Sequence, residues 1–233
     1  QNYDYRPFDN RYINYDLSKV VRARYTVMKH MLKENISLII PRQAVTANWN
    51  HVGISKFLSD NRIHYSNKGI PIVCPLYLYP DTDSQLSLDS KTSRKPNLDP
   101  KILAEIAKGL GLSFVPEKVE DGEVCFAESG EVTPAYRESF APIDLLDYIY
   151  AVLHSPSYRE TYKEFLKIDF PRVPYPTDVE EFWRLVALGG ELRSLHLMES
   201  PSLSEYITQY PIGGENEVEK PIYKEGRVYI NSE

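Results

Sequence analysis

Residues 140–176, FAPIDLLDYIYAVLHSPSYRETYKEFLKIDFPRVPYP, constrain the fold of this chain more than any other stretch. Ile143, Leu146, Ile149, Tyr150 and Leu153 recur at helical spacing. Ser155-Pro156 breaks that helix, and Tyr158, Tyr162, Phe165 and Leu166 restart the period. From Asp169 to Pro176 three prolines push their predecessors toward extended backbone, so no helix continues there. The expected unit is a pair of short amphipathic helices feeding a stiff, proline-punctuated strap.

The rest of the chain reads as α+β, with a strand-rich N-terminal lobe (residues 1–80) and a mainly helical C-terminal lobe (residues 98–233). Residues 3–8 and 11–15 predict two strands about an Asp9-Asn10 turn. Val21, Tyr25, Met28 and Leu32 predict a helix over 21–32. Residues 36–41, 51–54, 62–65 and 70–79 predict strands, with a turn at Asn67-Lys68-Gly69. Residues 81–97, rich in Ser, Thr, Asp and Lys, predict a linker or mobile loop. Asp99-Pro100 is a helix start that Gly109 or Gly111 ends. Residues 122–138 are acidic and irregular. Over 178–198, Phe182, Leu185, Val186, Leu188, Leu192 and Leu195 form an apolar stripe, and Gly189-Gly190 predicts a bend. The last residues, 226–233, read as a strand without a domain-ending signal, which predicts a segment of a larger polypeptide.

Composition bounds the function. A chain of 233 residues buries a good core in one or two domains. No apolar run approaches membrane-spanning length and no signal-peptide core opens the sequence. Cys74 and Cys125 are too few for a disulfide framework or a cysteine-based zinc site, which predicts a cytoplasmic setting. The net charge of −6 is wrong for a simple nucleic-acid binder. It is unevenly spread, however: residues 1–80 carry a balance of +6 and residues 81–233 one of −12. That asymmetry predicts a basic working half and an acidic half facing elsewhere.

Catalytic motifs are lacking. No Pro-Pro pair is available to grip a flipped adenine. Gly109-Leu-Gly111 follows a predicted helix, where a dinucleotide loop follows a strand. Pro80-Asp81 with Asp89-Ser90-Lys91 loosely matches a Mg²⁺-dependent nuclease pattern, but it falls in the most linker-like stretch, where chance is the stronger reading. His30, His51 and His64 follow no metal-ligand spacing, so independent roles are favoured.

What remains is recognition chemistry, concentrated in the first lobe. Arg22, Lys29 and Lys33 share one side of the predicted helix and Arg24 does not; such cations neutralise phosphates or merely solvate a helix face. Arg42-Gln43 after an apolar strand is sharper, because Arg pairs bidentately with guanine and Gln with adenine in the major groove. Arg6 and Arg11 flank a rigid turn. They contact phosphate or pair with Asp4, Asp9 or Asp16, and the close carboxylates favour pairing. Asn48, Asn50, His51, Lys56, Arg62, His64 and Lys68 populate loops and strand ends that line the same prospective groove. Of the eighteen tyrosines, Tyr148, Tyr150, Tyr158 and Tyr162 read as packing, and Tyr65 and Tyr77 as candidates for base stacking.

The order of motifs adds a resemblance. The stretch from Tyr5-Arg-Pro-Phe-Asp9 to Asp16, Met28-Lys-His-Met31, Pro41-Arg-Gln43, His51, the Pro-Leu-Tyr-Leu-Tyr-Pro run ending at Pro80, Lys95-Pro-Asn-Leu98 and residues 140–176 resemble the C-terminal specificity region of type ISP and type IIG restriction–modification enzymes. The resemblance implies a target-recognition domain that reads double-stranded DNA and docks on the methyltransferase domain of the same polypeptide. It implies a parent that methylates adenine N6 from S-adenosylmethionine, with Mg²⁺ and ATP entering if the parent also cleaves and translocates DNA. None of those active sites is expected in this chain. The alternative is a protein-interaction module without base contacts, which explains the acidic balance and predicts that the first lobe's cations pair internally.

Lacking a cofactor loop and a base clamp, the isolated chain is expected neither to bind S-adenosylmethionine nor to methylate DNA. Titration calorimetry checks this, and stoichiometric cofactor binding would overturn it.

Overall fold

A computed structural model of the chain describes residues 1–44, 49–64, 70–80, 94–117, 138–206 and 217–230. It divides into two compact units, Gln1–Ser200 and Pro201–Glu233. The fold is α+β, with the strands gathered in the N-terminal region and the longer helices following.

In the first unit, β1 (Asn2–Arg6) and β2 (Asp9–Tyr12) form an antiparallel hairpin, and β1 also pairs in parallel with β5 (Leu58–Ser59). The turn falls at Pro7-Phe8, not at Asp9-Asn10. Pro7 presets its own φ and Phe8 takes the left-handed φ of 63°, leaving its ring 66% exposed. A second sheet has β3 (Ser37–Pro41) between β4 (Gly53–Ser55) and β6 (Pro71–Pro75), all antiparallel. The apolar run at 36–41 thus becomes the central strand, and Ile39 is fully buried. Tyr77–Leu78 (β7) pairs with Lys95–Pro96 (β8). Buried Asn35 splices the two regions, donating to the carbonyls of His30 and Tyr77 and accepting from the Ile36 and Tyr77 N–H groups.

Two further N-terminal expectations fail. Residues 21–32 are not one helix: Tyr25–Met28 (α1) makes a single turn and Lys29–Leu32 tightens to a 3-10 turn. Arg22 and Arg24 stand before it at φ 57° and 48°, outside helical space. Of the four residues that set the period, only Met28 is buried, and it packs with Met31 and Leu58 in a small satellite core. Residues 61–64 form turns rather than a strand, because Asp60 accepts the Arg62 N–H two residues on. The Asn67–Gly69 turn, residues 122–137 and the 81–93 part of the expected linker lie outside the described residues.

Helix α2 (Pro100–Leu110) starts as read: the Asp99 carboxylate accepts from the Lys101 and Ile102 N–H groups, and Gly111 ends it at φ 68°. Short β9 (Ser113–Phe114) and β10 (Ser139–Phe140) pair in parallel. Then come α3 (Pro142–His154), α4 (Pro156–Thr161) and α5 (Lys163–Leu166). Asp144 secures the start of α3 by accepting the Ala141 N–H at 2.8 Å. The strap beyond α5 is extended as read. Two tyrosines hold it, the Tyr148 hydroxyl donating to the Pro174 carbonyl and the Tyr158 hydroxyl to the Arg172 carbonyl.

The strap delivers the chain to α6 (Val179–His196), capped by Asp178. The helix continues unbroken through Gly189 and Gly190. A Cβ on Gly189 would overlap the Asp147 carbonyl oxygen, and one on Gly190 would lie 3.1 Å from the Asp147 carboxylate. The glycines let α6 lie directly on α3, where Arg193 closes a bidentate pair with buried Asp147 at 2.6 and 3.0 Å. Phe182, Trp183 and Val186 are buried beside this contact, whereas Leu188, expected in the stripe, is 55% exposed. One core joins Leu38, Ile54 and Leu76 of the strand region to Leu103, Phe140, Leu153, Leu166 and Phe182 of the helical region. In the second unit, β11 (Ile222–Lys224) and β12 (Arg227–Tyr229) form a hairpin turned by Glu225 and Gly226, both at positive φ.

Gly189→Ala is expected to destabilise the protein by about 3 kcal/mol through overpacking against backbone, and Arg193→Leu by about 3 kcal/mol by stranding the Asp147 carboxylate. Leu188→Ala should stay within about 0.5 kcal/mol. Urea denaturation ranks the three; an unchanged midpoint for Gly189→Ala would show that the helices do not need this approach.

Candidate nucleic-acid interface

A cleft of about 640 Å³ opens in the first unit where the β1–β2 turn, β4 and the segment after it meet α3, α4 and the end of α6. Close approach of backbone makes it possible. A Cβ on Gly53 would collide with the His64 imidazole, so only glycine lets that ring lie against β4. His51 stands edge-on to His64 at 6.3 Å between ring centres. From the helical side come His154 and His196, with ring centres 5.5 Å apart. The Tyr150 hydroxyl bonds His196 Nδ1 at 2.5 Å, and His154 Nδ1 lies 2.9 Å from the Tyr150 carbonyl. Four of the five histidines of the chain therefore meet in one place. Among the described residues, no group of His, Cys, Asp or Glu is arranged to hold a metal ion.

Burial governs the electrostatics of the cleft. It pushes His64 down to about 4, helped by the neighbouring imidazoles, and holds His154 at about 4 despite the Tyr150 carbonyl. His196 is lowered by burial as well. His64, His154 and His196 are thus neutral at pH 7, and the fixed charges are Arg6, Lys56 and Arg159 against Asp4 and Glu199. Asp4 is itself raised by burial, although its hydrogen bond from Ser55 partly restores acidity. Arg159 donates from Nε to the Leu153 carbonyl at 2.7 Å, while its Nη2, like His64 Nε2, is buried without a hydrogen bond among the described residues. The cleft offers hydrogen bonds and modest positive charge.

The residues expected to touch DNA do not form one patch. Arg6, His51 and Lys56 line the cleft together. Arg6 pairs with Asp60 at 3.2 Å and Lys56 with Glu199 at 2.5 Å. Arg11 is bidentate to Asp9, as the close carboxylates suggested, and Arg6 and Arg11 each stack 3.9 Å from the centre of the Tyr5 ring. Arg42 and Gln43 follow β3 elsewhere. The Arg42 side chain is 69% exposed and lies 3.6 Å from Asp169, while the Ala44 N–H bonds the Leu166 carbonyl, so the helical region pins this loop. Lys33 stacks over Tyr79 and Lys29 sits in the 3-10 turn, with Arg22 in the turn ahead of α1, so the three do not share a helix face. Arg62 is exposed beside the cleft. His30 is a core residue whose Nδ1 accepts the Tyr79 N–H. Tyr77 is buried under Arg94 and unavailable for base stacking, and Tyr65, Asn48 and Lys68 lie outside the described residues. Sequence reasoning missed His154, Arg159 and His196. The four-residue step from Tyr150 to His154 was legible on α3, but the approach of His196 from another helix was not.

Folding keeps His64 and His154 neutral, and their folded values lie below the ordinary 6.5. Stability is therefore fully present above about pH 6.5 and falls as pH drops toward 4, because the unfolded chain binds the protons more readily. Thermal melts from pH 7 to 4 should show this loss, and His64→Gln should flatten it.

The comparisons agree with this architecture. A family model for the type ISP C-terminal specificity domain matches residues 1–233. No curated protein matches the chain. Among solved structures, the DrdV–DNA complex is similar at 24% identity and a TM-score of 0.55, over 84% of this chain and 15% of that one. The ATP-dependent type ISP restriction-modification enzyme LlaBIII bound to DNA is similar at 20% identity and a TM-score of 0.62, over 99% of this chain and 13% of that one. A nuclease-deletion mutant of the type ISP enzyme LlaGI with a DNA substrate mimic shows 22% identity and a TM-score of 0.55, over 99% of this chain and 17% of that one. The chain thus spans less than a fifth of each of these proteins, and at such identities the likeness speaks for the fold alone. With its family model matched from end to end, the chain belongs to the type ISP C-terminal specificity domain family.

Proposed function

We propose that this chain recognises a specific double-stranded DNA sequence on behalf of a restriction–modification polypeptide. The observation that carries the reading is the family match over residues 1–233, and the DNA-bound state of the similar solved enzymes supports it. In this reading residues 1–80 contact DNA, 81–97 connect, and 98–233 buttress the contacts and dock on a methyltransferase domain of the same polypeptide. The parent would transfer a methyl group from S-adenosylmethionine to adenine N6 in the cytoplasm, with Mg²⁺ and ATP serving cleavage and translocation elsewhere. The residues here do not fit S-adenosylmethionine: Gly109 lies inside α2 and Gly111 ends it, so neither opens a helix after a strand. No step of methyl transfer is assigned to this chain.

One observation favours the second reading, a docking module without base contacts. Arg6, Arg11, Arg42 and Lys56 all pair with carboxylates of the chain. Exposed pairs of this kind are worth about 1 kcal/mol or less, so a phosphate or a guanine edge readily replaces the carboxylate. DNA recognition is therefore the better reading.

Substituting Arg42 or Gln43 with Ala in the intact polypeptide is expected to cost about 1–3 kcal/mol and relax preference at one base position. Lys29→Ala or Lys33→Ala should weaken all sequences alike and lower the salt-dependence slope by about one per lost phosphate contact. Binding and methylation profiles over a randomised site library separate these outcomes. If neither group alters affinity or the modified sequence, while changes in the helical region disrupt assembly, the docking reading replaces this one.

A further inference from the structure

We infer that the loop from Leu17 to Tyr25 is a DNA-inserting element, with Val21 as an apolar wedge pressed against a base step from the minor groove and Arg22 and Arg24 beside it. The inference rests on the DNA-binding reading of this chain. It adds a contact that reads deformability rather than base edges.

The loop is exposed but anchored. At its start the Asp16 carboxylate accepts from the Ser18 N–H and hydroxyl, and the Asp16 carbonyl takes the Lys19 and Val20 N–H groups. At its far end the Val27 and Met28 N–H groups bond the Arg24 carbonyl, and Met28 buries in the satellite core. Tyr15 packs against that same core and sends its hydroxyl across the base of the loop to the Ala23 carbonyl. A loop tied at both ends and across its base presents its tip in a set position, which lowers the ordering cost of binding.

The tip has no use inside the protein. Val21 is 88% exposed and Leu17 52%, with the Tyr25 ring half uncovered at 47%. Arg22 and Arg24 are exposed and make no ion pair among the described residues, unlike Arg6, Arg11, Arg42 and Lys56. Both adopt left-handed backbone, at φ 57° and 48°, where an L residue with a Cβ is strained. Glycine would relieve that strain at both positions, yet arginine stands there twice. Between Leu17 and Tyr25 the sequence carries Lys19, Arg22 and Arg24 and no carboxylate. The nearest acid, Asp16, is engaged in the turn and lies 3.8 Å from Lys19.

An apolar tip flanked by unpaired arginines suits one polyanion well. Arginines are drawn into the negative potential of the minor groove, and a small apolar wedge there opens a base step and kinks the duplex. A docking partner made of protein would have to bring an acidic surface and an apolar socket together. Duplex DNA supplies both in every turn.

The test uses the intact polypeptide and a duplex selected by its own binding, end-labelled for energy transfer and carrying 2-aminopurine at successive positions. Wild type is expected to bend the duplex and raise 2-aminopurine fluorescence at one step. Val21→Ser should return that fluorescence and the bend to near those of free DNA and weaken binding by roughly tenfold, the scale of one lost contact. Arg22→Gly with Arg24→Gly should lower the salt slope by about two while leaving the thermal midpoint equal or higher. Because Val21 is exposed, an unchanged melting curve for Val21→Ser keeps misfolding out of the comparison. Binding without fluorescence change in wild type, or equal signals in wild type and Val21→Ser, overturns the wedge while leaving DNA recognition intact. Loss of assembly in Val21→Ser with unaltered DNA signals overturns it in favour of a protein contact. Failure of wild type to bind any duplex removes the recognition reading itself.

Discussion

The contact between α3 and α6 at Asp147 and Gly189 is the constraint on which the first unit depends. With no side chain on Gly189, the two backbones meet, and Arg193 seals the approach by gripping the Asp147 carboxylate with two hydrogen bonds. Burying that pair is costly in itself and does not add stability outright; its worth lies in fixing register, because any slide would strand a buried charge. Once the register is set, Phe182 reaches Phe140 and Tyr148, and one core spans helices and strands. The same register brings His196 onto Tyr150 and so builds the helical wall of the cleft.

The proline strap has a mechanical part in this. Extended backbone leaves its carbonyls without helical partners, and the Tyr148 and Tyr158 hydroxyls supply two of the missing donors. The strap therefore returns the chain along α3 and α4 and starts α6 in the right place. Where α5 runs into the strap, the chain also reaches the end of β3: Asp169 faces Arg42, and Leu166 at the end of α5 holds Ala44. The Arg42-Gln43 loop is thus steadied by the helical region, although the two are more than a hundred residues apart in sequence.

Charge works on two scales. Over the whole chain the balance is negative, and several N-terminal cations are matched to local carboxylates. In the cleft, burial holds the His64 and His154 imidazoles neutral, and the fixed positive charges there are Arg6, Lys56 and Arg159. The Leu17–Tyr25 loop is the contrasting case: Lys19 faces Asp16, but Arg22 and Arg24 at the exposed tip make no ion pair among the described residues. The internal pairing expected of a docking module and the unpaired cations expected of a DNA binder therefore coexist in one fold.

Local chemistry was legible wherever a residue acts on its own neighbours. Asp99-Pro100 and Gly111 delimit α2, the 140–153 period predicts α3, the strap is extended because proline leaves no alternative, and the family follows from motifs kept in order. Reading failed where a distant partner decides. The 21–32 period looked helical, yet Met28 and Met31 are drawn to Leu58, and a single turn followed by a tighter one satisfies them. Gly189-Gly190 looked like a weak point in a helix, since propensity counts only the lost Cβ; tertiary packing turns that absence into a close approach of α6 to the Asp147 backbone of α3. Arg6, His51 and Lys56 were named as candidates from residue type and their places beside a turn or in loops and strand ends, and the fold joins them to His154, Arg159 and His196. Sequence by itself determined caps, breaks and the strap, because those depend on dihedral preference within a few residues. Tertiary structure alone decided which side chains share the cleft and which arginines remain unpaired, because both depend on the distance between segments far apart in the chain.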